Sequence, residues 1–566
     1  MLSQTLTYQL PLLSSECYFT TRVPTLGTSC RPFSVQWQTV MAAQASAMTG
    51  ILSLPDEILS AIFALRDKWD WGSFPRYPQA YSLRLTCRRF YRLSNHLIVR
   101  RKTTVDISRP ETLARLRIIA ENPILAAGLI KVNVRLHFYH PWVAASFDNF
   151  TSSVISEWQQ RRQNWGVGFT TFDPISFQEI LSRLLDQLDT ADEREDEVYE
   201  TEEGAPSANS APSPRKIMCR AYDVYKKGFE AQNLLLSNGK FEQELAKTIS
   251  KLPNVRGLAL HDVDPKINCE PGRDIIAIPR DDIRAQEEAL VMVLSRPMVW
   301  EDARWIMPQG DIWPGVPINL LVTIPLAIAN VGGVILEYIG ILVSAAPDYT
   351  LLDLDTNRLD QLSAAVRAMQ LSYFRFRPRC YQACGPWEVD DQGTTVFANR
   401  TLGELNCINQ YLGAFLAAKC IRHVEIHLQD FWVSAGTSIR VAPTSLGAAF
   451  SWPLGSELAY ISLKAVCLVD EELEGLARSL LPDSVIELQD IQLLAGSWID
   501  AIDTLRQELR SPRHVRIRFR LDGDEGYTYF ERQLRLAFER GGLFGDSLVE
   551  RFVKGEDIDF ADPLHF

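Results

Sequence analysis

The chain has 566 residues, too many for one compact core, with 46% hydrophobic and 23% charged residues, the balance of an ordinary globular protein. Its net charge of −12 argues against general affinity for nucleic acid or anionic membranes. The ten cysteines, spread from Cys17 to Cys467, make no dense framework, as expected of reduced thiols in the cytosol or nucleus.

Residues 1–48 are rich in Ser, Thr, Gln and Ala and lack a basic n-region, so a flexible leader is expected there rather than a secretory signal. The stretch Leu52-Ser53-Leu54-Pro55-Asp56-Glu57-Ile58-Leu59 then reads as a helix start. Pro55 suits the first turn, where a missing N–H costs nothing, and Asp56 and Glu57 face the positive end of the helix dipole. Ile58, Leu59, Ile62 and Phe63 share one face. A second helical segment follows, with Leu83, Cys87, Phe90, Ser94 and Leu97 in near-heptad rhythm between Arg84, Arg88, Arg89 and Arg92.

The order Leu-Pro-x-Glu-Ile-Leu-x-x-Ile-Phe, then Leu-x-Leu-x-Cys-Arg-Arg-Phe, resembles the F-box, the adaptor-docking module of SCF (Skp–cullin–F-box) ubiquitin ligases. The resemblance implies that Leu54, Pro55, Glu57, Ile58, Leu59, Ile62, Phe63, Leu83, Leu85, Cys87, Arg88 and Phe90 divide between internal packing and an adaptor-binding face. Two features depart from the family pattern: a long link over residues 66–80, and Leu97-Ile98 where a Leu-Trp is usual.

Past residue 100, the spacing predicts an extended segment at 103–107, a helix over 109–122, and a strand carrying Val132, Val134, Leu136 and Phe138. An apolar helix is expected at 175–188. The polar, acidic, Pro/Ser-rich tract 189–216 reads as a disordered insertion. From 217 to 527 a short motif recurs, apolar-x-x-apolar-x-apolar, after helical runs. It is carried by Val255/Leu258/Leu260, Leu336/Ile339/Ile341, Leu371/Phe374/Phe376, Ile421/Val424/Ile426 and Leu458/Ile461/Leu463. Ile486/Leu488 and Val515/Ile517/Phe519 extend it, and Leu352-Asp353-Leu354 to Leu359 has the order L-x-L-x-x-N-x-L. The drifting spacing is that of leucine-rich repeats with insertions, each unit a strand and a return helix that bury apolar surface only against neighbours. The tracts 115–140 and 485–505 are similar to degenerate repeats downstream of the box in filamentous-fungal F-box proteins. A C-terminal cap or tail over 528–566 completes the expected order of 1–48 leader, 49–100 box, 101–188 first repeat-like units, 189–216 insertion and 217–527 repeat domain.

Several conspicuous groups have blander readings. Ile312 to Leu336 runs 25 residues without a charge, but its prolines, its asparagines and Gly332-Gly333 favour a buried helix over a membrane span. Asp353-Leu354-Asp355 resembles the paired-aspartate loop of haloacid-dehalogenase-type phosphatases, yet no partner lysine or magnesium site follows it. Cys420, His423 and His427 lack the second ligand pair of a zinc site, Cys380 and Cys384 lack partners, and His137 and His140 read as strand-end residues. In the basic strand 513–520, Arg516, Arg518 and Arg520 take one face and Val515, Ile517 and Phe519 the other. No nucleotide, esterase or metalloprotease motif is present.

The expected fold class is α/β: a short helical F-box, then an irregular leucine-rich-repeat-like solenoid of parallel strands with outer helices. The resemblance implies a non-catalytic substrate receptor in the cytosol or nucleus. Its partners would be a Skp-type adaptor, through it a cullin, and a target protein, with no cofactor, metal, nucleic acid or membrane. The alternative is a repeat scaffold for protein interactions without a ligase role.

Overall fold

Parallel pairing organises the chain. The computed structural model describes residues 53–59, 86–91, 93, 102–164, 214–262, 283–305, 315–378, 388–389, 395–396, 401–428, 445–446, 449, 458–489, 491–495, 498–509, 514–518 and 548–554. Nine strands form one sheet in which spatial order equals chain order. They are β1 (Lys102–Asp106), β2 (Lys131–Arg135), β3 (Gly257–His261), β4 (Tyr338–Leu342), β5 (Tyr373–Phe376), β6 (His423–His427), β7 (Leu458–Lys464), β8 (Leu480–Gln489) and β9 (His514–Arg518). Every neighbouring pair is parallel.

Parallel neighbours need long returns, and helices supply most of them. Pro110–Glu121 and Pro123–Gly128 join β1 to β2, Lys240–Ile249 precedes β3, and Leu320–Val331 precedes β4. Thr356–Ala368, Leu402–Leu416, Asp470–Arg478 and Trp498–Glu508 lead into β5, β6, β8 and β9. Local chemistry sets where these helices start. Asn122 caps Ile124 and Leu125 before Pro123, His140 Nδ1 accepts from Trp142 N, and Thr401 with Glu404 forms a reciprocal capping box.

The helices take one face of the sheet. Two inward rows run across the strands: Val132, Leu258, Ile339, Phe374, Val424, Ile461, Ile486 and Val515, then Val134, Leu260, Ile341, Phe376, Ile426, Leu463, Leu488 and Ile517. All are buried in one continuous core. The alternation responsible is the period of two that the apolar-x-apolar motifs carry. Because the strand pairs are in register, the intervening residues line up as a second, polar face.

Buried polar groups hold the loops at the C-terminal ends of the strands. The Asp262 carboxylate accepts from Ser344 N (2.6 Å), Trp300 N (2.8 Å) and the Ser344 hydroxyl. Burial, partly offset by these hydrogen bonds, pushes it up to about 6. The buried Trp300 in turn donates its indole N–H to Leu136 O (2.9 Å), so one carboxylate and one indole tie the ends of β2, β3 and β4. Both edge strands find side-chain partners. Asp106 N of β1 donates to Thr112 Oγ1 (2.8 Å), and Ile517 N of β9 donates to buried Glu550 Oε1 (2.8 Å), from helix Leu548–Val553.

Some expectations change. Leu352 to Leu359 is not a strand: Tyr349–Leu352 is a 3-10 turn, Asp353 takes φ 51°, and a helix starts at Thr356 with Asp355 as its cap. The charge-free run holds a helix of 12 residues, Leu320–Val331, with Pro325 inside it. Among the described residues no helix is long and apolar enough to cross a membrane. The helix Pro214–Leu236 takes in residues 214–216 from the end of the polar tract, and strands on both sides of that tract share the sheet. The helix expected at 175–188 and the rest of the insertion lie outside the described residues.

Candidate functional site

Two surfaces stand out, one on the N-terminal helical segment and one on the sheet. In the first, Leu59 N donates to Pro55 O (3.0 Å), closing the first helical turn after the proline, and Tyr91 N donates to Cys87 O (2.9 Å) in the second segment. Cys87 also caps that turn, its sulfur accepting from Phe90 N (3.4 Å). Arg89 joins the halves: Nε donates to Asp56 Oδ1 (2.6 Å) and Nη2 to Leu54 O (2.5 Å). Leu59 and Phe90 are buried. Pro55, Glu57, Ile58, Arg88 and Tyr91 are exposed, Ile58 and Tyr91 each by 48%. Leu54 and Cys87 are half-buried.

The second surface is the sheet face away from the helices. Lys131, Gly257, Tyr338, Tyr373, His423 and Tyr460 share one register row from β2 to β7. The Lys131 ammonium lies 4.1 Å from the centre of the Tyr338 ring. It reaches over Gly257, where a Cβ would stand 3.4 Å from both the Lys131 Cγ and the Tyr338 ring. Tyr338 meets Tyr373 edge-on (4.9 Å between centroids), Tyr373 meets His423 (5.6 Å), and His423 stacks on Tyr460 (5.9 Å).

A charged row flanks this ladder. Arg375 Nε lies 2.8 Å from Glu425 Oε2, and the Tyr373 hydroxyl donates to the same carboxylate. The Tyr460 hydroxyl donates to Glu487 Oε2 (2.9 Å), and Arg516 lies 3.5 Å from Glu487. Burial, reinforced by these carboxylates, raises the Tyr373 and Tyr460 hydroxyls. Burial first, then Lys102 and Arg375, pushes Lys131 down to about 7.

Residues 51–104 match the F-box-like family model. The chain therefore carries an F-box-like domain. No curated protein and no solved structure matches the chain.

Within the F-box-like domain, the resemblance brought forward Leu54, Pro55, Glu57, Ile58, Leu59, Cys87, Arg88 and Phe90, and the structure brings these two groups together through Arg89. Ile62, Phe63, Leu83 and Leu85 lie outside the described residues. Sequence pattern did not single out Arg89 from its neighbour, because two adjacent arginines look alike until a helix turns them about 100° apart. Asp56 provided the clue, an acidic residue in the first segment available to a basic one in the second.

The aromatic ladder was also missed, though its signal is present. Tyr338, Tyr373, His423 and Tyr460 each stand immediately before the second apolar residue of a motif, so stacking the motifs would align them in one column. The other conspicuous residues are placed simply. Asp355 accepts from Arg358 N (2.7 Å) as a helix cap, and Asp353 pairs with the Arg358 guanidinium (2.5 Å), so the two aspartates serve a turn. His423 and His427 face the polar side of β6, while Val424 and Ile426 face the core. Among the described residues no group of three or more His, Cys, Asp or Glu is arranged to hold a metal ion. Burial pushes His140 down to about 4 and, with nearby Arg135, His261, Arg296 and Arg109, His137 to about 3, leaving both neutral. Cys380 and Cys384 lie outside the described residues.

Proposed function

We propose that the protein is the substrate-recognition subunit of an SCF ubiquitin ligase. The F-box-like domain docks on a Skp-type adaptor, and through it a cullin, while the sheet domain holds a target protein. The observation that carries this reading is the F-box-like match over residues 51–104. The local geometry supports it. With Leu59 and Phe90 turned inward, Pro55 and Ile58 on the first segment and Tyr91 on the second are exposed, an apolar set suited to docking.

The sheet domain reads as an irregular leucine-rich-repeat-like array. Strand order equal to chain order, in-register parallel pairs and helices on one face support that reading. The role is one of proximity, not catalysis: holding the target beside a bound conjugating enzyme makes transfer effectively intramolecular. The setting is the cytosol or nucleus.

Reconstitution tests this. The full chain mixed with purified Skp-type adaptor and cullin is expected to co-elute as a ternary complex on gel filtration, and an Ile58→Asp chain to elute alone. A wild-type chain that never shifts the adaptor's elution would leave the scaffold alternative standing.

A further inference from the structure

The polar face of the sheet carries more order than a solvated surface requires. Its side chains are amphipathic and mutually supported: Tyr373 and Tyr460 are fixed by rings on both or one side and by hydroxyl bonds to Glu425 and Glu487. Rigid tyrosines of this kind offer large contact area with little rotamer entropy left to lose on binding. His423, between them, is exposed. The charges along the ladder are unevenly matched. Glu425 and Glu487 already have arginine and tyrosine partners, whereas among the described residues Lys131 has the Tyr338 ring beside it and no carboxylate.

Resting on the receptor reading above, we propose that this face, from Lys131 to Tyr460, is the target-binding surface. It takes an extended segment of another polypeptide that sets a carboxylate side chain on Lys131 and a flat apolar side chain across Tyr373, His423 and Tyr460. The span from β2 to β7 is about 24 Å, the reach of roughly seven extended residues. A carboxylate fits better than a phosphate. The site offers one compact ammonium, while Arg375, whose planar fork would favour a dianion, is engaged by Glu425. An arriving anion also relieves what burial, Lys102 and Arg375 impose on the Lys131 ammonium.

The test is selection from a displayed library of random peptides about a dozen residues long, enough for that span, on the immobilised full chain. The enriched sequences are expected to place Asp or Glu within a few residues of an aromatic or large aliphatic side chain. A synthetic copy of the strongest binder, followed by fluorescence polarisation, should bind Lys131→Met about tenfold more weakly, the loss of one charge-assisted contact. It should also bind His423→Ala several-fold more weakly. Lys131→Met keeps the aliphatic stem over Gly257. His423 is exposed, so its truncation leaves a folded chain in which the proposal remains open to refutation. Ile58→Asp should bind the peptide as wild type does. No enrichment, enrichment without acidic residues, affinities unchanged by both sheet variants, or binding restricted to phosphorylated peptides would each overturn the proposal. Failure of adaptor co-elution with peptide binding intact would overturn the ligase reading alone.

Discussion

Ile58 and Leu59 are neighbours in sequence with opposite placements, and this gives the sharpest prediction about the docking segment. Leu59 is fully buried and Ile58 is 48% exposed. Fully burying such a side chain is worth roughly 1.5–3 kcal/mol, so the half of Ile58 still open leaves about 1 kcal/mol to be gained at an interface. Ile58→Ala should therefore weaken adaptor binding about fivefold. Ile58→Asp forces an unpartnered carboxylate into the contact, adding several kcal/mol, and should weaken it by more than about a hundredfold. Neither change should disturb the segment's own fold. Leu59→Ala should also weaken binding, but by a different route: it leaves a hole costing about 2–5 kcal/mol and loosens the helical turn itself. Titration calorimetry with the purified adaptor reads the affinities, and hydrogen exchange at the Leu59 amide, bonded to Pro55 O, reads the turn. The expected pattern is lost binding with protection retained for Ile58→Asp, and both lost for Leu59→Ala. Wild-type affinity in Ile58→Asp would show that the exposed side of this helix is not the docking face.

Three further outcomes follow from the structure. Arg89→Ala removes the bonds from Arg89 to Asp56 and to Leu54 O and should speed exchange at the Leu59 amide about tenfold, whereas exposed Arg88→Ala should change stability by less than about 0.5 kcal/mol; equal effects would refute the assignment. The Asp262 carboxylate, raised from 3.8 to about 6, takes up a proton in the folded state before it would in the unfolded chain. Its contribution to stability therefore grows as pH falls from about 7 to about 4 and is lost as pH rises through about 6, on the order of 2–3 kcal/mol. Urea unfolding of wild type and Asp262→Asn across that range should show the wild type gaining on the variant with acidification, and a constant difference would refute this. Finally, Cys219 and Cys420 are exposed while Cys467 is buried, with its thiol pushed up to about 12. Mass-spectrometric mapping after brief iodoacetamide treatment should find the first two alkylated and Cys467 modified only after unfolding.

The strands were legible because each repeats one pattern, two apolar residues bracketing one that faces out. That pattern survives even where spacing between strands drifts by tens of residues, since the sheet reads period and not distance. The segment 352–359 shows where the pattern misleads. Leu352 and Leu354 alternate like strand residues, but Asp353 adopts a left-handed backbone and Asp355 bonds to Arg358 N, so turn chemistry decides the conformation. Less legible was everything that depends on pairing between strands. Tyr338, Tyr373, His423 and Tyr460 look like four unrelated aromatics until parallel register puts them in one row. The same holds for Asp262, whose partners Ser344 and Trp300 lie 82 and 38 positions away and mark no motif.

The row of aromatics also answers a physical problem that the topology creates. An all-parallel sheet is ordinarily covered on both faces, because its strands carry apolar side chains on both. Here strand order equal to chain order keeps the returning helices on one side, so the other face must be compatible with water while still bracing the strands. Tyrosine, lysine and arginine do both: their stems and rings lie along the sheet, and their polar ends reach hydrogen bonds or solvent. Glycine at 257 and 340 makes the room, letting the Tyr338 ring settle against the backbone of β3 and β4. The edge strands are treated in the same manner, Thr112 beside β1 and Glu550 beside β9 each accepting from an edge N–H that another strand would otherwise complete. On the polar face Lys131, Tyr373 and Tyr460 are half-buried and His423 is exposed, while Tyr338 is buried. This face is also where the chain spends tyrosine most regularly, once on each of three strands between β4 and β7.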